Sequence, residues 1–267
     1  MQSISADRQK SALMARHRRV VAELTLVTDA LLQARRLFMH PWRGIFLRYF
    51  NQAGVEAMSS IAVRAAVLGT LIIGYVANVL AADAEMAARI LLLVLREFVP
   101  MLAAVIVVAK SGVEITGQLA HMRERGEIRG LQLLGISATD LLLGPILYAV
   151  GAATVILMLY FEVVAAVGGV MLAGILTDMS PRELTEHMMA QVRLADLWYC
   201  LFKSFVFGVA IGAVICHHGL IQKPKPGLEL PKVVSAAVMR GLLWLSLVNI
   251  LFELFTQGIP ALGIGTH

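Results

Sequence analysis

The stretch HMRERGEIRGLQLLGI, residues His121–Ile136, lies between two long apolar runs and decides how the chain is organised. Its charges are packed closely together: Arg123, Glu124, Arg125, Glu127 and Arg129. Apolar residues recur at helical spacing on both sides of Gly126, with Ile128, Leu131 and Leu134 after it. Glycine allows a sharp bend. This stretch, called the elbow below, is therefore predicted to be a short amphipathic segment. Such a segment is either a solvated loop or a surface that another protein contacts.

Outside the elbow the chain is strongly apolar. Of its 267 residues, 58% are hydrophobic and 15% are charged, and the mean hydropathy is +0.77. Soluble domains have about 45–50% apolar and about 25% charged residues, so we expect a polytopic membrane protein. The net charge of +5 does not indicate nucleic-acid binding, because the positive residues flank apolar runs. No short apolar core precedes a small-residue cleavage site near the N-terminus, so we expect no cleaved signal peptide.

Five apolar runs are long enough to cross a bilayer, which takes about 20 helical residues. The predicted spans cover residues 58–82, 88–109, 141–172, 197–215 and 233–255. The third run continues to Leu176, so its helix either projects beyond the bilayer or breaks near Gly168 and Gly169. Lys and Arg cluster before residue 50, around residues 110–130 and after residue 220. This distribution predicts a cytoplasmic N-terminus and elbow, and a C-terminus on the outer side.

Two amphipathic segments precede the first span. Region 1–37 has helical periodicity and many basic residues, which fits a solvated helix or one bound at a membrane surface. After Pro41, an apolar stripe at helical spacing lies opposite Arg43, Arg48 and Gln52. The stripe consists of Trp42, Ile45, Phe46, Tyr49 and Phe50. This pattern predicts a helix in the membrane interface, although an ordinary buried helix face would have the same pattern.

Charged side chains inside apolar runs are candidates for a functional site, because they usually face a protein interior or a cavity. Arg96 and Glu97 lie in the second predicted span, and Asp196 and Lys203 begin the fourth. Such groups either pair to fix helix packing or line a path for a substrate. Lys203 could also extend to the outer headgroups or contact Asp196 or Glu162.

Three further residues are interpreted as packing positions. Pro100 removes a backbone donor and is expected to kink the second span. Gly208 and Gly212 form a GxxxG pattern, which allows close helix contact within the chain or across a dimer. We expect no metal site, because Cys216 and the two histidines after it are adjacent and point in different directions on a helix.

Three sequence patches resemble the MlaE/YrbE family, the permease subunits of ABC-type lipid transporters that work with MCE proteins. They are LREFVPMLAAVIVVAKSG (95–112), ITGQLAHMRERGEIRGLQLLG (115–135) and DLWYCLFKSFVFGVAIGAVICHHG (196–219). The third patch is the most specific, because many polar and small positions agree at fixed spacing. The elbow departs from the family's acidic pattern, and the family's aspartate in the last span is replaced by Asn249 or Glu253.

The resemblance implies an all-α integral membrane fold. In this fold an amphipathic interfacial helix and five transmembrane helices form a permease domain over residues 38–258, followed by a short tail at 259–267. The elbow would be the cytoplasmic coupling helix between spans 2 and 3. By resemblance, the residues that contact the ATPase are Met122, Arg123, Arg125, Glu127, Ile128, Arg129 and Leu131.

The resemblance also implies the partners and the compartment. The chain would be the non-enzymatic permease of an ATP-driven lipid transporter in the bacterial inner membrane. Its partners would be a cytoplasmic ABC ATPase, an MCE-domain protein, a small STAS-like protein and a second permease copy, identical or paralogous. We expect no cofactor in this chain, since it has no GxxxxGK loop followed by Ser or Thr. ATP and Mg²⁺ would bind to the ATPase.

Two other classes of function fit the composition. An ion-coupled secondary transporter of a hydrophobic substrate would depend on the intramembrane carboxylates Glu162 or Glu253. A membrane scaffold would transport nothing and would need no cavity.

Overall fold

The computed structural model describes residues 40–58, 63–64, 67, 71, 84–176, 182, 185–186, 189–190, 194–221 and 230–261. In these ranges the regular elements are all helical, and no strand occurs. The α-helices are α1 (His40–Phe50), α2 (Ala84–Val107), α3 (Val113–Glu124), α4 (Glu127–Leu133), α5 (Ala138–Leu176), α6 (Leu194–Cys216) and α7 (Leu230–Ala261). Three π-helical segments extend them: π1 (Asn51–Val55), π2 (Val108–Gly112) and π3 (His217–Ile221).

Four helical segments of the described chain are long and apolar enough to cross a membrane. They cover residues 96–124, 141–168, 194–220 and 231–256. The described part of the chain is therefore all-helical, and the protein is a multi-pass membrane protein. The first predicted span, at 58–82, and the amphipathic region 1–37 lie largely or wholly outside the described residues. A total of five spans thus stays a prediction.

The second predicted span is part of a much longer helical segment. The chain enters α2 at Ala84, passes through π2 and ends α3 at Glu124. Pro100 is buried inside α2, and the helix continues across it. At 1.5 Å per residue the segment is about 60 Å long, whereas the bilayer core is about 30 Å thick. One end must therefore project into water, and the charged elbow lies at such an end.

Helix α5 settles the two alternatives for the third apolar run. It is one helix of 39 residues that continues through Gly168 and Gly169. Most residues of its central part, from Leu142 to Ala165, are buried or partly buried against other helices. The run is longer than a bilayer crossing because the helix projects, and it does not break at the glycines.

Helices α5 and α6 pack closely against each other. A Cβ atom placed on Gly208 would lie 2.6 Å from both the Gly151 Cα and the Thr154 Oγ1 atoms. A Cβ atom on Gly212 would lie 3.1 Å from the Leu147 Cα. The GxxxG pattern thus serves packing within one chain, because only hydrogen atoms at these positions leave room for the neighbouring backbone.

Helix α1 packs on α5 through its aromatic stripe. Trp42 and Tyr49 are buried, and the Trp42 ring fills the space where a Gly144 side chain would be. Burial also raises the pKa of the Tyr49 phenol, which keeps this hydroxyl neutral. Arg43 and Arg48 are exposed, as the pattern predicts. A position of α1 in the membrane interface stays a prediction.

One residue of this segment departs from the predicted pattern. Gln52 was expected beside the exposed arginines, but it is buried. It belongs to π1, where each turn contains more residues than an α-helical turn. The wider turn changes which side chains face the protein, and α-helical periodicity cannot anticipate this.

Candidate functional site

Five charged side chains from α2, α6 and α7 form one ion-pair network, called the charge cluster below. The Arg96 guanidinium donates a hydrogen bond from Nη1 to Asp196 Oδ1 at 2.7 Å, and its Nε lies 3.6 Å from Glu97 Oε1. The Lys203 ammonium donates to Glu97 Oε2 at 2.5 Å and lies 3.4 Å from Glu253 Oε1. The cluster therefore links three helices that are distant in sequence.

The members of the cluster differ in their access to the surroundings. The Lys203 side chain is 0% exposed, whereas those of Arg96, Asp196 and Glu253 are 35–37% exposed. Glu97 lies between these extremes at 20%. A buried ammonium is stable only where carboxylates compensate it, and Lys203 has two of them.

The structure brings together the four charged residues that the sequence singles out, but Lys203 has other partners than expected. We expected it to reach the outer headgroups or to contact Asp196 or Glu162. Its side chain is instead completely buried, and its partners are Glu97 and Glu253. Asp196 lies about two helical turns earlier on α6 and pairs with Arg96. Helix α6 thus meets α2 at two levels.

Aromatic rings surround the charge cluster. The Arg96 guanidinium lies 4.6 Å from the centre of the Tyr199 ring, a cation–π contact. Phe252 makes edge contacts with Tyr199, Phe202 and Phe207 at centroid distances of 6.0–6.2 Å. These rings exclude water around Lys203, so the electrostatic interactions inside the cluster are stronger than they would be in water.

Glu253 is the member of the cluster that sequence reasoning did not place. The sequence presents it as an isolated carboxylate in the last span, and thus as a replacement for a family aspartate or as a proton carrier. Its position in an apolar run does indicate that it needs a cation. Which cation it meets depends on how α7 packs against α6, and no local pattern encodes that contact.

The elbow has the bend that its glycine predicts. Helix α3 ends at Glu124, Gly126 adopts a left-handed conformation with φ 76°, and α4 begins at Glu127. Ile128 is buried, and Met122 and Leu131 pack against the core. The apolar stripe thus continues across the bend, as its spacing indicates.

The remaining elbow residues form a mixed polar and apolar surface. Arg125, Glu127 and Arg129 are exposed, Arg123 is partly buried, and Arg125 pairs with Glu127 at 4.0 Å. Leu134 was expected to extend the apolar stripe of Ile128 and Leu131, but it is 75% exposed, because α4 ends one residue earlier and a second left-handed glycine, Gly135, turns the chain. With Leu133 also 85% exposed, apolar side chains stand beside the charges.

The charge cluster and the elbow occupy opposite ends of the bundle. Arg96 begins the membrane-spanning part of the α2–α3 segment and Glu124 ends it, about 40 Å further along the helix. At the elbow end, α3 packs against π3, where a Cβ atom on Gly219 would lie 2.6 Å from Leu119 Cβ. The cluster and the elbow are thus joined by a continuous helical segment. A rigid displacement of one end of this segment would therefore move the other end.

Most of the chain matches a known permease family. The family described as Permease MlaE matches residues 46–255, a range that contains the elbow and every residue of the charge cluster. The chain belongs to the MlaE permease family. The family predicted from the three patches is therefore confirmed. Membership of a permease family also supports the expectation that the chain is a transport subunit and not an enzyme.

Curated relatives of this MlaE family member are named probable ABC transporter permease proteins. Protein slr1045 of Synechocystis is 27% identical over 193 residues, which cover 69% of this chain and 73% of that protein. Protein RP096 of Rickettsia prowazekii is 24% identical over 175 residues, or 65% of this chain and 67% of the relative. Protein ycf63 of Pyropia yezoensis is 27% identical over 125 residues, about half of each chain.

Proposed function

We propose that this MlaE family member is the permease subunit of an ATP-driven transporter that moves phospholipid or a similar lipid between the inner membrane and an MCE protein. Family membership and the names of the relatives support an ABC-type permease. The observation that carries the lipid proposal is the charge cluster, which lies at one end of otherwise apolar helices. Lipid tails need apolar walls, and headgroups need a few charges near the mouth of the path.

In this proposal the elbow is the coupling helix. A cytoplasmic ATPase would bind ATP and Mg²⁺ and carry out phosphoryl transfer. Its closure would displace the exposed surface of Arg125, Glu127 and Arg129, while the packed residues Met122, Ile128 and Leu131 would pass the displacement to the helices. Arg123 lies between these two sets. The continuous α2–α3 segment would carry the movement to the charge cluster.

The remaining partners follow from the family and from the uncovered face of α7. Only 22% of the apolar window of α7 is buried within the chain, so among the four described spans α7 is the helix best suited to meet lipid or a second permease copy. We propose a dimer with two cytoplasmic ATPases and an MCE protein at the outer face, near the charge cluster. A small STAS-like protein would complete the assembly on the cytoplasmic side.

The transport role is tested on the complex purified from native membranes and reconstituted in vesicles with ATP. We expect the ATPase and the MCE protein to co-purify and lipid movement to require ATP. Arg96→Ala and Lys203→Ala should each lower the transport rate about tenfold or more, because each substitution leaves carboxylates of the charge cluster without their cation. Both variants should still insert into the membrane. Lys232→Ala, which removes an exposed lysine at the start of α7, is the control and should transport normally.

Three outcomes would contradict this assignment. Normal transport in both Arg96→Ala and Lys203→Ala would remove the charge cluster from the lipid path. Transport driven by an ion gradient in the isolated chain, and lost on Glu162→Gln, would identify a secondary transporter. Absence of lipid movement by the complete wild-type complex would favour a scaffold.

A further inference from the structure

The charge cluster contains more carboxylates than cations. Asp196, Glu97 and Glu253 face Arg96 and Lys203. With every group ionised, three negative and two positive charges leave one negative charge. Both cations are already used in ion pairs within the cluster, so neither can compensate a net negative charge on a ligand.

Glu253 is the least compensated member. Lys203 is its cationic partner in the cluster, and the ammonium lies 3.4 Å from Glu253 but 2.5 Å from Glu97. The Glu253 carboxylate is also among the more accessible groups, at 36% exposed. The surplus negative charge is therefore concentrated where a ligand can approach it.

The charges that a ligand would meet are mainly negative. Lys203 is fully enclosed and presents no atom to a headgroup. Accessible parts of the cluster are the carboxylates of Asp196 and Glu253 and the guanidinium of Arg96, which already donates to Asp196. An anionic headgroup would add a second negative charge to this surface, whereas an ammonium group would compensate the first one.

Two polar atoms at the cluster lack hydrogen bonds. Within the described residues, Arg96 Nε and Asn249 Oδ1 are buried without one. Asn249 lies one turn before Glu253 in α7. Buried polar atoms normally have a hydrogen-bond partner. One hydrogen-bond donor and one acceptor at the same ion pairs suit a ligand that carries both an anionic oxygen and an N–H group.

We propose that the charge cluster selects lipids whose headgroup carries an ammonium group and no net charge, such as phosphoethanolamine, over anionic phospholipids. The ammonium group would approach Glu253 and Asp196, and the phosphate would lie towards Arg96. This inference rests on the proposed lipid-transport function and specifies its substrate class.

The experiment measures lipid selectivity in the purified complex. The complex is reconstituted in vesicles that contain equal amounts of phosphatidylethanolamine and phosphatidylglycerol with identical acyl chains. The lipid that stays bound to the complex is then quantified by mass spectrometry. We expect about five times as much bound phosphatidylethanolamine as bound phosphatidylglycerol. One uncompensated unit charge in partly hydrated surroundings gives a preference of about this size. Glu253→Gln removes the surplus charge, so the enrichment should fall towards equality.

Two further variants separate charge from folding. Glu253→Asp keeps the charge and should keep the enrichment, which a merely structural role of the side chain does not predict. Glu114→Gln makes the same chemical change about 25 Å along the α2–α3 segment, so the ratio should stay at the wild-type value. A change in coupling to the ATPase would alter transport rates but not this ratio.

The outcomes distinguish this inference from the proposed function. Equal retention of both lipids, or enrichment of phosphatidylglycerol, with ATP-driven transport intact would overturn the selectivity and leave the lipid transporter in place. Enrichment that survives Glu253→Gln would equally remove the cluster as its cause. Failure to retain or move any lipid would instead contradict the proposed function.

Discussion

Helices α5 and α6 differ sharply from α7 in how much of their surface the protein covers. In their apolar windows 72% and 67% of the residues are buried, against 22% in α7, although the mean hydropathy of the three is similar at 2.2, 2.0 and 1.7. Apolar character therefore does not decide which helix is enclosed. In a bilayer, lipid tails are as apolar as leucine. Which helix is enclosed therefore depends on where small residues allow two backbones to approach closely.

This contrast bears on the charge cluster. Lys203 stands on α6, in the tightly packed pair, and its second partner Glu253 stands on the loosely packed α7. A ligand or a second copy that covers α7 can therefore change the surroundings of Glu253 more readily than those of Lys203. The cluster joins a well-enclosed part of the molecule to an open one.

The largest effect is expected at the α5–α6 contact. Gly208→Ala places a methyl group 2.6 Å from the Gly151 Cα, so the two helices must separate. We expect the free energy of unfolding to fall by about 2–3 kcal/mol, measured by SDS titration in mild detergent. Gly117→Ala is the control, because no atom lies within 4 Å of its Cβ position, and it should be neutral or stabilising. Equal effects of both substitutions would show that close approach does not hold the pair together.

A smaller effect is expected on α7, where two leucines lie two residues apart. Leu245 is 1% exposed and Leu243 is 62% exposed. Leu245→Ala leaves a cavity, which lowers the free energy of unfolding. The transfer free energy of the removed atoms contributes little in a lipid environment, so the total loss should be about 2 kcal/mol. Leu243→Ala should change the same SDS unfolding free energy by less than about 0.5 kcal/mol. If Leu243→Ala were as costly, the outer face of α7 would have to be covered in the monomer.

The smallest effect is expected at the elbow, where a glycine is needed for its backbone conformation and not for space. Nothing lies within 4 Å of the Cβ position of Gly126, but its φ is 76°. Gly126→Ala should cost about 1 kcal/mol through left-handed strain. Gly130 has equal space inside α4, and Gly130→Ala should stabilise the helix slightly. Circular dichroism melts of the two variants should therefore shift in opposite directions, and a shared direction would refute the backbone explanation.

Local patterns in the chain predicted the helices well, because periodicity and turn chemistry act over a few residues. The stripe from Trp42 to Phe50 predicted an amphipathic helix, and Gly126 predicted the bend between α3 and α4. The same reasoning placed Gln52 on the exposed side and Leu134 on the buried side. Both errors arise where the helix changes its geometry or ends, which depends on the neighbouring elements.

Sequence by itself determined that this protein is an all-helical, multi-pass membrane protein of the MlaE permease family, since composition, apolar run length and spaced polar residues are properties of the chain. It also identified Arg96, Glu97, Asp196 and Lys203 as unusual charges. Only the tertiary structure decided that Glu253 completes their network and that Gly208 packs within the chain. Pairing of charges is a property of helices brought together in space, because residues that are 50 to 106 positions apart have no local signal in common.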